Sequence, residues 1–294
     1  MDLETFYSNI SQRFTFSKVP AGAASTYTSL FRLGNNPPAN IFIPHFSGIN
    51  GTGSGNAKGT GFLPYNCVGG FAGIGATGGV TGIVSGCIPL QWPTSGNLYL
   101  AKAEVSSNVA TSTLIFYDRL WHASGFNTRT GVGITGTGQA VVGFGVLPPR
   151  DIYGSSSGFG CEIWGELTMA ATGPNGHWIV DYTDSLGVPR QAAHFKSAAY
   201  ALHTMIPFFN ASGAYVGVKS ITSFSATGGT TANTNLTLVV LRRIAELPIR
   251  NVNEKYVYNI LALGKPVIPS GAALFMMAYG ASTLVNGTLE FSKD

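Results

Sequence analysis

The chain has 294 residues, 45% of them hydrophobic and 10% charged, against roughly 25% charged residues in an ordinary soluble domain, so intrinsic disorder is excluded. Glycine fills 39 positions without a Gly-X-Y period, which excludes collagen and argues against long helices and coiled coils. The net charge of +4 is carried by scattered residues such as Arg13, Lys18, Arg32, Lys58 and Arg129, and this is no electrostatic footprint for nucleic acid.

The N-terminal Met-Asp-Leu-Glu-Thr has no basic region followed by an apolar run, so no secretory signal is expected and synthesis is placed in the cytoplasm. Leu3, Phe6, Tyr7, Ile10 and Phe14 then recur at the spacing of one helix face, which predicts a short amphipathic helix over 2–14 that needs a surface to lie on. From about Pro20 to Pro93 prolines multiply, and about a third of residues 48–88 are Gly, a density that defeats helix and regular strand alike. This region, 1–95, reads as an extended arm and loop system.

Between Gly59 and Ala101 there is no Asp, Glu, Lys or Arg, although Phe62, Phe71 and Trp92 lie there. A solvated linker is rich in polar and charged residues. The stretch is therefore expected to pack on a neighbouring chain, which makes a homo-oligomer, a trimer, the expected state.

From Leu98 the period becomes two. Strands are predicted at Leu98–Val105, Thr113–Asp118, Ala140–Leu147, Gly160–Ala170, His177–Thr183, Arg190–Lys196, Lys219–Phe224, Leu236–Ile244, Tyr256–Leu263, Leu274–Tyr279 and Leu284–Phe291. The fold class is thus all-β: an antiparallel sandwich or jelly-roll-like domain over 96–294, with a possible C-terminal strand subdomain from about 246. A hairpin is expected around Gly173-Pro174-Asn175-Gly176, and a turn at Asp184–Gly187 extends it into a meander. In the strand before the first turn, Glu162, Trp164 and Glu166 share one face, opposite Ile163 and Leu167. An aromatic on a charged face marks Trp164 as a contact residue. The longest apolar run, Ala272–Ala281, is about half the length of a membrane-spanning helix, so no membrane partner is expected.

Motifs that suggest chemistry do not survive their contexts. Gly73–Gly78 and Gly131–Gly136 match G-x-G-x-x-G, but neither opens a helix in a β-α-β unit. Gly51–Thr60 departs from a phosphate loop at Ala57 and Gly59. Gly154-Ser155-Ser156-Ser157-Gly158 fits G-x-S-x-G, yet a strand follows it where a nucleophile elbow needs a helix, so it reads as a flexible polar loop. Glu162 and Glu166 are about 13 Å apart along a strand, too far for a glycosidase pair. A centred hairpin register would set Glu166 about 5 Å from Asp181, although a register shifted by two, with both charges in solvent, is the stronger reading. Cys67, Cys87 and Cys161 read as buried small hydrophobes, and the five histidines show no H-x-x-x-H pair. No catalytic residue, metal or cofactor is expected.

One resemblance stands beside this reading. Tyr117-Asp118-Arg119-Leu120-Trp121 with Ser124-Gly125, Leu147-Pro148-Pro149-Arg150-Asp151, Glu162-Ile163-Trp164, Tyr182-Thr183-Asp184-Ser185-Leu186-Gly187 and Leu284-Val285-Asn286-Gly287-Thr288-Leu289-Glu290 resemble the sequence blocks of a family of tailed-bacteriophage virion structural proteins. Arg190-Gln191 departs from the Gly-Arg-like step of that pattern. The resemblance spans Leu98 to the C-terminal end. It implies a cement or decoration protein that binds the major capsid protein on the head exterior, localised to the virion and without enzymatic activity. The competing class is a receptor-binding tail or fibre protein. Leu3, Phe6, Tyr7, Ile10, Phe14, Phe62, Phe71, Trp92 and Trp164 are the expected interface residues.

Overall fold

A computed structural model describes residues 97–107, 112–128, 139–141, 143–167, 171, 176–196, 205–210, 216–227, 235–264, 266–279 and 285–293, together with the backbone of three strands nearer the N-terminus. The strands are β1 (Ile10–Phe16), β2 (Thr28–Phe31), β3 (Ala39–Phe42), β4 (Leu98–Ser107), β5 (Ser112–Asn127), β6 (Gln139–Ala140), β7 (Cys161–Leu167), β8 (Gly176–Thr183), β9 (Pro189–Lys196), β10 (Met205–Pro207), β11 (Phe209–Asn210), β12 (Ser220–Thr227), β13 (Asn235–Ile249), β14 (Tyr256–Asn259), β15 (Val267–Ile268), β16 (Leu274–Tyr279) and β17 (Val285–Lys293). All the described pairings are antiparallel.

The central sheet runs β10-β7-β13-β5-β16. Its spine is the pair β5 and β13, matched from Asn235 opposite Asn127 to Ile249 opposite Ser112. The pairing slips at three places, between Leu236 and Leu238, Val240 and Leu241, and Arg243 and Ala245. Each slip inserts a residue, bends the ribbon and inverts the in/out alternation. That is why Leu120 and its neighbour Trp121 both enter one core.

Two outer sheets pack on successive halves of this spine. The first, β1-β17-β4-β14 with β15 also on β4, covers one half, so that Leu100, Val105, Leu289 and Phe291 meet Leu114, Phe116, Leu247 and Leu274. The second, β11-β9-β8-β12-β6, covers the other half, where Trp178, Val180, Tyr182 and Phe224 meet Trp121, Phe126, Ile163, Leu236 and Val240. The architecture is sandwich-like, with one long sheet serving two cores. The opposite face of the central sheet is buried as well and holds Ile115, Tyr117, Trp164, Met205, Val239 and Leu241.

Three expectations are corrected here. First, Ile10–Phe16 is a strand, not the second half of a helix, and it pairs with β17 from Ile10 opposite Ser292 to Phe16 opposite Gly287. The sequence Ile10, Gln12, Phe14, Phe16 also satisfies a period of two, and the unpaired edge of β17 selects it. Leu3, Phe6 and Tyr7 lie outside the described residues.

Second, β7 and β8 do not form a hairpin. β7 pairs with β13 and β10, whereas β8 pairs with β9 and β12. β7 is buried on both faces, with Ile163 and Leu167 in one cluster and Trp164 in another, and only a sheet covered on both sides buries a strand in this way. β8 alternates buried and half-buried residues and goes to an outer sheet. Glu166 therefore stands opposite Thr237, and Asp181 opposite Gln191 and Ser223, in different sheets.

Third, the strand expected at Ala140–Leu147 stops at Ala140, because Gly143 and Gly145 take positive φ values of 68° and 72° and start a loop. The turn at Asp184–Gly187 is present and joins β8 and β9 in a hairpin, but without β7 beside β8 it extends no meander, and residue 246, near which a subdomain was expected to begin, lies inside β13.

Candidate interaction surface

Four of the five sequence blocks that carry the resemblance meet around one core, through Trp121, Leu147, Ile163 and Tyr182, whereas the last, in β17, belongs to the first outer sheet. Asp118 sits mid-way along β5, opposite Arg242 on β13 and Leu274 on β16, and its side chain is fully buried. Its carboxylate accepts from Arg150 Nε at 2.8 Å and Nη2 at 3.2 Å, and from the backbone N–H of Ala273 at 2.9 Å. Arg242 Nη1 donates to the carbonyl of Arg150 at 2.8 Å. The Pro148-Pro149-Arg150 segment is thereby clamped onto the central sheet. Buried charges persist only when paired and hydrogen-bonded in this way.

Asp151, the next residue, organises the loop beyond. It accepts from the backbone N–H groups of Tyr153 at 2.9 Å, Ser155 at 2.7 Å and Phe159 at 3.0 Å, and from Ser155 Oγ at 2.6 Å. Burial works to raise its pKa, but the bonds from Ser155, Phe159 and Tyr153 outweigh it and hold the carboxyl below the usual range. The loop around the Gly154–Gly158 segment, read from the sequence as a polar loop, is thus tied to Asp151 by four hydrogen bonds. Ser155, not Ser156, is the hydroxyl it uses.

Asp184 does the same for the turn between β8 and β9. It accepts from the N–H groups of Leu186 and Val188, each at 2.9 Å, and from Arg190 Nε at 3.0 Å, and these bonds, that from Val188 foremost, lower its pKa. The two loops are joined through the Gly217–Val218 segment that precedes β12, which approaches both closely. Val218 N–H donates to the carbonyl of Gly158, and Phe159 bridges to Gly217. A Cβ on Gly158 would lie 1.7 Å from the carbonyl oxygen of Val218, and one on Gly217 would lie 2.3 Å from Ser185 Oγ, so glycine is required at both.

On this stapled end of the second sandwich, large apolar side chains face solvent. Tyr153 is 73% exposed and Leu186 64%, and Ile152 and Val188 accompany them. Both carboxylates of this tip are turned inward, whereas Lys219 is exposed and Arg190 half-buried. The tip therefore offers an apolar surface with a basic rim.

A third block lies on the opposite face of the central sheet. Glu162 accepts from Trp164 Nε1 at 2.9 Å and Tyr117 Oη at 3.2 Å, and it pairs with Arg243 at 3.0 Å, whose guanidinium sits 5.8 Å from the centre of the Tyr117 ring. The shared face of Glu162, Trp164 and Glu166 is as read from the sequence. Its exposure is not: Trp164 is 2% exposed within the single chain, packed edge-on to Tyr117, so its placement as an outward contact is corrected.

Of the other expected interface residues, Phe62, Phe71 and Trp92 lie outside the described residues, and Ile10 and Phe14 are placed only by the backbone of β1. Sequence reasoning missed Ile152, Tyr153, Leu186 and Val188. Their signal was present in the Asp-x-Tyr-Gly-Ser and Asp-Ser-Leu-Gly patterns, in which Asp folds the loop that displays its neighbours.

Among the described residues, Phe195 and Phe209 on the second outer sheet, Val252, Val257, Leu261 and Val267 near the edge strands of the first, and Val146 are exposed apolar side chains as well. Among the described residues no three His, Cys, Asp or Glu gather as metal ligands. Cys161 is buried, and burial pushes its thiol pKa well up. No protein-family model, curated protein or solved structure matches this chain.

Proposed function

We propose that the chain is a structural component of a bacteriophage virion, a cement or decoration protein that binds the major capsid protein on the head exterior as a homo-oligomer, with a trimer as the expected state. The observation that carries this reading is the tip built by Asp118, Arg150, Asp151 and Asp184. These four residues come from the blocks that resemble virion proteins, and their side chains are spent on holding loops in place. What the loops display is apolar: Ile152, Tyr153, Leu186 and Val188. A surface preorganised in this way loses little entropy on docking, which suits a protein that strengthens a shell by binding it. Catalysis is no part of the proposal.

The test is to add purified chain to phage heads that lack it and to image intact particles with a specific antibody. Saturable binding to heads, reduced by Tyr153→Asp with Leu186→Asp, is the expected result. Label confined to tails or fibres would replace this reading with that of a receptor-binding structural protein, which the exposed rings of Phe195 and Phe209 favour.

A further inference from the structure

We propose that the outer face of the second outer sheet binds a neutral oligosaccharide, independently of where on a particle the protein sits. The face is built by odd-numbered residues of β8 and β9 and by their partners on β11 and β12. His177 stands opposite Phe195, Ile179 opposite Ala193 and Ser225, and Asp181 opposite Gln191 and Ser223. Phe209 on β11 stands opposite Ala193 and so shares the face with Phe195, diagonally about 7–8 Å away.

Two kinds of group converge there. The first is a ring platform: the imidazole of His177 and the phenyl of Phe195 stack at 4.2 Å with their planes 4° apart, and Phe195 is 71% and Phe209 65% exposed. Rings locked against each other by stacking present apolar surface at little entropic cost. The second is a held carboxylate. Gln191 Nε2 donates to Asp181 Oδ1 at 2.7 Å, and Ser223 Oγ donates to Oδ2 at 2.5 Å. Asp181 keeps acceptor sites beyond those two bonds, and Gln191 keeps an amide hydrogen and its carbonyl oxygen. Exposed apolar rings at one end of a sheet face and oriented donors and acceptors at the other match a chain of sugars, whose C–H faces pack on rings while their hydroxyls bond.

Charge narrows the class. Of the described side chains on this face, Asp181 is the one that carries charge, so phosphate, nucleic acid and anionic lipid find no cation. A second copy of the chain is disfavoured on the same ground, because a self-complementary contact would bury Asp181 against a face that offers no opposite charge. His177 and Asp181 lie four residues apart, about 13 Å along the strand, which sets the ligand as an oligosaccharide rather than a monosaccharide.

The experiment is affinity electrophoresis of the full chain in native gels containing dextran, galactomannan, glucomannan or hydroxyethylcellulose, with sedimentation velocity in parallel. Retardation by at least one polymer is expected, weakened about tenfold by Phe195→Ala and restored by Phe195→Trp, with Gln191→Ala and Phe209→Ala also weakened. Unchanged circular dichroism would show that the exposed substitutions leave the fold intact. Absence of retardation by all four polymers, or equal retardation of Phe195→Ala, would overturn the proposal. Self-association abolished by Phe195→Ala would overturn it in favour of a contact between copies.

Discussion

Arg150 reaches from a loop to place Nε 2.8 Å from Oδ2 of Asp118, and neither side chain retains meaningful exposure. Removing one partner leaves the other charge buried and unpaired. Asp118→Asn or Arg150→Ala is therefore expected to cost about 3–5 kcal/mol in urea denaturation, and replacing both by apolar residues is expected to cost less than the sum of the two. Additive losses would show that the two residues act separately.

Gly158 and Gly154 form a natural control pair. Both have positive φ, 77° and 71°, but a Cβ meets backbone at Gly158 and nothing within 4 Å at Gly154. Gly154→Ala is expected to cost only the strain of the left-handed backbone, about 1–2 kcal/mol. Gly158→Ala adds a clash with the carbonyl of Val218 and should lower the thermal midpoint by clearly more. Equal shifts would count against the close approach that joins the two loops.

Trp164 is expected to behave as a core residue. Trp164→Ala should destabilise by about 3–5 kcal/mol, whereas Trp164→Phe keeps most of the packing and loses mainly the bond to Glu162, about 1 kcal/mol. A Trp164→Ala protein of unchanged stability that no longer assembles would return this residue to an interface.

Acid should weaken the fold in two stages. Burial pulls His122 down to about 3 and His194 to about 4, from an ordinary 6.5. The unfolded chain then binds protons that the folded chain refuses, so this contribution is complete above pH 6.5 and is lost as pH falls toward 4 and then 3. For His194, packed against Trp178 and Phe208, the loss is roughly 2–3 kcal/mol. Asp151 and Asp184 have lowered values, and their contribution is lost further down, below the ordinary carboxylate range. Denaturation midpoints measured from pH 8 to pH 4 should fall most below 6.5, and His194→Gln should flatten that slope. An unchanged slope would show that folding does not shift the titration of His194.

Much of the chain from Leu98 onward was legible. Alternation marked β4, β7, β8, β9, β12 and β16 because each strand has at least one face that must leave water. Local turn chemistry placed the bend at Asp184–Gly187. The length of β5 was not legible: the prediction stopped at Asp118, since Leu120 and Trp121 break the alternation at a bulge. The interaction surface was hidden for a related reason. Burial of Asp118 and Arg150 depends on residues 32 positions apart meeting, and neither residue signals this alone.

By itself the sequence determined the class and the strand content, because composition excludes helix-rich and disordered chains and period two is written residue by residue. It also determined which residues share a face, as with Glu162, Trp164 and Glu166. Only the tertiary structure decided which strands pair, and so which faces are covered. β7 left the hairpin expected with β8 for the central sheet, since a strand with large apolar side chains on both sides, Ile163 and Leu167 against Trp164, buries them all only where layers lie above and below it. That choice took Trp164 from an expected contact into the core. It left the contact surface to Ile152, Tyr153, Leu186 and Val188, whose exposure arises from loops held by three aspartates.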